Sequence, residues 1–182
     1  MNQPTTLRVG DAAPTFALPG ADGTTYRLSD FTDKSVLCVV FMCNHCPYVK
    51  ATIDRLIALQ RDYADKGAQL IGINANETVN YPEDDLPHMI QWAKEKAFNF
   101  PYLRDDSQAV ARAYGAERTP HIFLFDRERK LRYTGAIDDN TQDPSKVTRP
   151  YLRQAIDALL ANQPVGESET HAMGCSIKWA GK

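Results

Sequence analysis

No stretch of this 182-residue chain approaches the roughly 20 consecutive apolar residues that a membrane-spanning helix needs. Positive charge is not in excess either. The chain has 21 Lys and Arg against 23 Asp and Glu, so it lacks the basic footprint of a nucleic-acid binder. Cysteine is scarce: Cys38, Cys43, Cys46 and Cys175 are too few for a disulfide-stapled scaffold. The opening segment, MNQPTTLRVGDAAPTFAL, lacks a basic start followed by an apolar stretch. No secretory signal is read there, and a cytoplasmic setting is the expectation. No repeat, low-complexity run or linker interrupts the chain. One domain is expected over residues 1–182, with a core at about 7–162 and a tail at 163–182, long enough to bury a core without metals or disulfides.

The apolar pattern supplies the element order. FALPGADGTTYRLSDF reads as a small hairpin entering a helical turn at Leu28–Phe31. SVLCVVFM is a continuous apolar, β-branched run, as expected of a strand covered on both faces. From Pro47, the residues Val49, Ile53, Leu56, Ile57 and Leu59 follow helical spacing up to a stop at Gly67. AQLIGINA is a second buried strand, which completes a βαβ unit. A helix begins near Pro87 and carries Met89, Ile90, Trp92, Ala93 and Ala97. SQAVARAYG is a short helix, HIFLFD and LRYTGAI are antiparallel strands, and RPYLRQAIDALLA is the last helix. The tail has no clear periodicity, and Trp179 is expected to anchor it. The fold class is α/β: a mixed central sheet flanked by helices, with an N-terminal β-hairpin extension.

The chemistry is expected where the first central strand hands over to a helix, in FMCNHCPYVK. Thiol–disulfide exchange needs a thiolate and a second thiol close enough to resolve the mixed disulfide, and Cys43 and Cys46 are two residues apart. On this reading Cys43 lies at the helix N-terminus, where backbone N–H groups favour a thiolate, and it is the attacking thiol. Cys46 lies one turn further in and resolves. Asn44, His45 and Pro47 support the pair: a protonated His45 favours the thiolate, and Pro47 suits a first helical turn. Thr119-Pro120, directly before a buried strand, is a second clue. The alternative is a copper or zinc site built from Cys43, Cys46 and a histidine, with His45 between them and His121, His171 or Cys175 as possible additions; no second short-spaced Cys/His pair supports structural zinc. Other polar groups are read as ordinary surface. His88 and Trp92 share a helix face, and YPEDDLPH is a solvated helix start. Cys38 is core filler, and Cys175 is structural or free, with a third redox thiol as the competing reading.

The strand–CNHC–helix unit, the downstream Thr119-Pro120 and the hairpin FLFDRERKLRYTG together resemble the thioredoxin superfamily. The front half, LRVGDAAPTFALPGADGTTYRLSDF, resembles the redoxin and peroxiredoxin-like branch that includes the alkyl hydroperoxide reductase/thiol-specific antioxidant group. The resemblance covers roughly residues 7–162. It implies a thioredoxin-like sandwich, a thiol–disulfide oxidoreductase using Cys43, Cys46 and Pro120, a cis Thr119-Pro120 bond, and an antioxidant, peroxide-reducing sub-case. It implies no cofactor and no resident metal. Its partners are protein or small-molecule disulfides and thiols, with an unidentified electron donor or acceptor, and neither nucleic acid nor membrane. The chain departs from the peroxiredoxin Pro-x-x-x-Thr-x-x-Cys motif. Aligned by fold, the motif's cysteine falls on Cys46, its threonine on Cys43 and its proline on Val39.

Overall fold

A computed structural model describes residues 6–181. The elements in order are β1 (Ala17–Pro19), β2 (Thr25–Arg27), a 3-10 turn at Leu28–Phe31, β3 (Val36–Phe41), α1 (Pro47–Tyr63), β4 (Ala68–Asn74), α2 (Leu86–Glu95), β5 (Tyr102–Arg104), α3 (Ala109–Tyr114), β6 (Arg118–Thr119), β7 (His121–Phe125), β8 (Leu131–Gly135), α4 (Tyr151–Leu160) and β9 (Cys175–Ser176). Five strands form the central sheet in the order β5-β4-β3-β7-β8. β3 runs parallel to β4, and β4 runs parallel to β5. β7 is antiparallel to β3, and β8 is antiparallel to β7. β1 and β2 form the expected N-terminal hairpin.

The unbroken apolar run of β3 follows from this placement. Val36, Cys38 and Val40 face α1, α2 and α4, packing with Ile53, Leu56, Met89, Leu152 and Ile156. Leu37, Val39 and Phe41 face the other way, onto Phe16 and Leu18 of the hairpin region and Val110 and Tyr114 of α3. Both faces are dry, so polar alternation has no place in this strand. Each fully buried Leu, Ile, Val or Phe contributes roughly 1.5–3 kcal/mol by leaving water. Gly67, in the left-handed region at φ +91°, ends the helical segment after α1 as the sequence indicates.

Mixed strand directions set the position of the site. Phe41, at the end of β3, is in register with Ile73 near the end of β4 and with His121 at the start of β7. Three connections therefore meet at one edge of the sheet: residues 42–46, residues 75–85, and the β6–β7 junction at Thr119-Pro120.

Two features escaped the sequence pattern. β5 is three residues long, too short to show a period, yet it extends the parallel part of the sheet. The aperiodic tail is stitched onto the body. Thr134 N–H donates to Ser168 O (3.0 Å), Ile177 N–H to Glu117 O (3.0 Å) and Glu77 N–H to Lys178 O (2.9 Å). Trp179 packs on the core, with the Arg112 guanidinium 4.7 Å above its ring, so it anchors the tail as expected. Ala97 does not extend α2. It lies past the helix end at φ +52°, in the turn toward β5. No described helix is long and apolar enough to cross a membrane.

Candidate active site

Helix α1 begins at Pro47, and Cys46 is its N-cap, with φ −65° and ψ 124°. This corrects the expected placement. Cys43 precedes the cap by three residues, in the connection from β3, and Cys46 does not sit a turn inside the helix. The cause is Pro47. Proline disfavours helical backbone at the residue before it, so the helix cannot start at Cys43. Pro47 itself is exposed at the first helical position. Both cysteines are fully buried, at 0% exposure.

Both sulfurs converge on one residue. The Cys43 Sγ lies 3.5 Å from Thr119 Oγ1, and the Cys46 S–H donates to the Thr119 carbonyl at 3.3 Å. The two thiols also lie near enough to shift each other's ionisation. The Thr119-Pro120 bond is cis, and Pro120 is buried. Thus Cys43, Cys46, Thr119 and Pro120, 77 residues apart at the extremes, form one cluster.

Asn44 and His45 turn away from Thr119 toward a carboxylate that the sequence reading placed in water. Asp84 is fully buried, at 0% exposure. It accepts from the Asn44 backbone N–H (2.7 Å), from His45 Nδ1 (2.5 Å) and from Asn76 Nδ2 (2.9 Å), with Asn74 Nδ2 at 3.3 Å. The Asn44 side chain is held as well: its Nδ2 donates to Glu83 O (2.9 Å), and it accepts from the Tyr102 hydroxyl (2.7 Å). His45 stacks on Tyr81 at 5.5 Å. YPEDDLPH is therefore not a solvated helix start throughout. Asp85 caps α2 by accepting from His88 N–H, while Asp84 turns inward beneath the cysteine loop. The clue in the sequence was the pair Asn74 and Asn76 at the end of a buried strand, since buried amides need partners.

In the fully protonated pair Cys46 donates to the Thr119 carbonyl, and Cys43 shares a hydrogen bond with the Thr119 hydroxyl. When one proton leaves, the negative charge settles on Cys46. The Cys43 S–H, the Cys175 S–H, the Cys175 backbone and the Val49 N–H all stabilise it there, against the cost of burial. Cys43 is pushed the opposite way, above the ordinary thiol range, first by donating to Cys46, then by burial, then by the Asp84 carboxylate. This reverses the expectation that Cys43 carries the thiolate. His45, invoked for that role, is bonded to Asp84 and not to Cys43. Cys38 is core filler as read, with burial alone pushing its thiol up.

Among the described residues, Cys43 Sγ, a His45 ring nitrogen and an Asp84 oxygen lie within 4.8 Å of one another, close enough for a metal ion. This set shares Cys43 and His45 with the metal reading but leaves out Cys46, His121 and His171, and adds Asp84. Its carboxylate oxygens already accept several hydrogen bonds, so hydrogen bonding accounts for the geometry. His121 is occupied elsewhere: its Nδ1 accepts from Glu117 N–H (3.3 Å), and its Nε2 lies 3.3 Å from Thr134 Oγ1. Burial first, then Arg118 and His171, push its pKa down to about 4, which keeps it neutral.

Comparison with known proteins places this geometry in context. The chain is 27% identical to the thiol-disulfide oxidoreductase ResA of Geobacillus thermodenitrificans, over 70% of this chain and 69% of that protein. It is 26% identical to a protein of Mycobacterium tuberculosis named as a peroxiredoxin, over 77% of this chain and 84% of that one. A crystal structure of a Sinorhizobium meliloti protein superposes with a TM-score of 0.92 at 40% identity, covering 98% of each chain. Residues 9–134 match the AhpC/TSA family, which is most of the chain, and the protein belongs to that family.

Proposed function

We propose that the protein is a thiol–disulfide oxidoreductase whose working couple is Cys43 and Cys46. The observation that carries this is the convergence of both sulfurs on Thr119. In the reducing direction, a thiolate of the pair attacks one sulfur of a substrate disulfide and expels the other as a thiol. The second cysteine then attacks the mixed disulfide, releasing the reduced substrate and leaving the Cys43–Cys46 bond. Two electrons and two protons pass to the substrate. The oxidising direction is the reverse. Substrates are disulfides and thiols of proteins or small molecules, with a separate donor or acceptor closing the cycle. Titrating the reduced protein with oxidised glutathione and digesting it without reduction tests this. One intramolecular Cys43–Cys46 disulfide per chain is expected, and two thiols still free at high oxidant would refute it.

A second reading, peroxide reduction, is favoured by the preference for charge on Cys46, the position aligned with the peroxidatic cysteine. The Cys46 thiolate would attack the peroxide oxygen, giving a sulfenic acid and water or an alcohol. Cys43 would then condense with it, releasing water and forming the same disulfide. Trapping a sulfenic acid on Cys46 in a Cys43→Ser variant treated with peroxide would support it, and failure to consume peroxide would eliminate it.

A further inference from the structure

The strand β9 lies where a third sulfur matters. It pairs antiparallel with β6, with Cys175 opposite Thr119, the residue on which both site sulfurs converge. The approach is close. A Cβ on Gly174 would fall 1.9 Å from the Thr119 carbonyl oxygen, so only glycine lets the tail lie this near. Arg118 holds the same turn by donating from Nη1 to Gly174 O (3.0 Å). Cys46 donates to the carbonyl of that same Thr119 at 3.3 Å, so the pairing sets Cys175 beside Cys46, near enough for each to perturb the other's ionisation. Cys46 thus has two neighbouring thiols, Cys43 and Cys175. Cys43 and Cys46 are fully buried, whereas Cys175 is partly exposed. Of the three, Cys175 is the residue that reaches the surface.

We propose that Cys175 is a third redox thiol, which exchanges with the buried couple through a Cys46–Cys175 disulfide and carries oxidising or reducing equivalents between that couple and external thiols. This rests on the Cys43–Cys46 couple proposed above. In the exchange, the Cys175 thiolate attacks Cys46 Sγ of the Cys43–Cys46 disulfide. The Cys46–Cys175 bond forms, the Cys43–Cys46 bond breaks, and Cys43 takes the proton that Cys175 gave up. No electrons leave the protein in this step. An external dithiol then attacks at Cys175, forming a mixed disulfide and releasing Cys46 as a thiol. Its second sulfur closes on the first, expelling Cys175. The external dithiol is oxidised, and all three cysteines are reduced. Run backward, the same steps reduce an external disulfide.

The electrostatics fit this order. In the reduced protein the Cys175 thiol is held up by burial, by its hydrogen bond to Cys46 and by the Cys46 charge, and it is drawn down by Lys178 and Arg118. Oxidation of the couple removes the Cys46 charge and leaves the two cations in place. Cys175 therefore becomes the easier thiol to ionise when it has a disulfide to attack.

Trypsin makes the test direct. Cys38, Cys43 and Cys46 share the peptide 35–50, and Cys175 lies in the peptide 154–178. A Cys46–Cys175 bond therefore joins two peptides, whereas a Cys43–Cys46 bond joins none, and fragmentation of the joined species identifies the cysteines. In Cys43→Ser protein treated with diamide, most chains should carry the Cys46–Cys175 cross-link. In wild type it should be a minor species in equilibrium with Cys43–Cys46. Oxidised Cys175→Ser protein should still contain Cys43–Cys46 but react with dithiothreitol at least fivefold more slowly than wild type. Cys43→Ser protein with Cys46 and Cys175 still free, or equal rates for wild type and Cys175→Ser, would overturn the relay alone. Cys175→Ser protein that cannot form Cys43–Cys46 would overturn the couple and the relay together.

Discussion

Replacing Asp84 with Asn removes one buried charge at almost constant volume. The effect on Cys43 can be sized from the structure. The Cys43 sulfur and an Asp84 oxygen are within 4.8 Å of each other. Two unit charges at that distance interact by about 3.5 kcal/mol at an effective dielectric of ~20. That corresponds to about 2.5 pKa units. The experiment is cleanest in a Cys46→Ser background, where Cys43 no longer competes with Cys46 for the proton. Peptide-resolved alkylation of Cys43, followed against pH with and without Asp84→Asn, gives the two ionisation curves.

The expected result is a fall of about 2 pKa units for Cys43 with a matching rise in alkylation rate near neutral pH. Fold stability should fall as well. An Asn at this position cannot accept from all of the Asn44 N–H, His45 and Asn76 Nδ2, and an orphaned buried donor costs about 1–3 kcal/mol. Superimposable ionisation curves in a variant that is measurably destabilised would mean that Asp84 shapes the loop but does not govern Cys43, and would refute the electrostatic account.

The remaining expectations concern the pair and the tail. Thiolate absorbance near 240 nm at neutral pH should vanish in Cys46→Ser and persist in Cys43→Ser; the opposite pattern would restore Cys43 as the charged sulfur. Because the folded-state pKa of Cys46 is lowered, the unfolded chain binds the extra proton over the interval between that pKa and the ordinary thiol value near 8.5. The reduced protein should therefore gain stability as pH rises through that interval, by up to about 1.4 kcal/mol per pH unit, and lose it as pH falls. The raised Cys43 works in the opposite sense above the ordinary thiol value, and urea midpoints of reduced against oxidised protein check both signs. Gly174→Ala should cost about 1–3 kcal/mol from overpacking against Thr119 and speed proteolysis of the tail; unchanged midpoints would mean that the tail is not seated as described. Asn76→Ala should raise the alkylation rate of Cys175 severalfold by freeing the Lys178 N–H that Asn76 Oδ1 accepts from, and an unchanged rate would show that this bond does not hold the tail.

The sheet was legible because its central strands are dry on both faces. VLCVVF and LIGIN tolerate no polar residue, and the helices between them show their buried stripe at helical spacing. The closeness of the two cysteines was legible because both lie within four consecutive residues. What could not be read is whatever depends on two distant segments meeting. Nothing local distinguishes Asp84 from Asp85, yet one is buried under the cysteine loop and the other caps a helix at the surface. The helix start at Pro47 is legible because proline restricts Cys46 to extended backbone, which leaves Cys43 outside the helix. Cys175 reads as a stray residue because a two-residue strand has no period.

Asn76 shows how these hidden pieces act together. Its Nδ2 donates to Asp84 Oδ2 (2.9 Å), and its Oδ1 accepts from the Lys178 N–H (2.9 Å). One buried amide thus ties the carboxylate beside Cys43 to the tail that carries Cys175. Its own carbonyl accepts from Arg104 Nη2 (2.6 Å), which fixes it to β5. The three thiols consequently do not sit in equivalent surroundings. Cys46, burial and Asp84 keep the proton on Cys43, two neighbouring thiols and the helix start draw the charge to Cys46, and the tail leaves Cys175 partly exposed. Exchange chemistry depends on which sulfur is charged, which leaves and which can be reached. In this chain those three properties fall on three different cysteines, and the polar network around Asn76 keeps them apart.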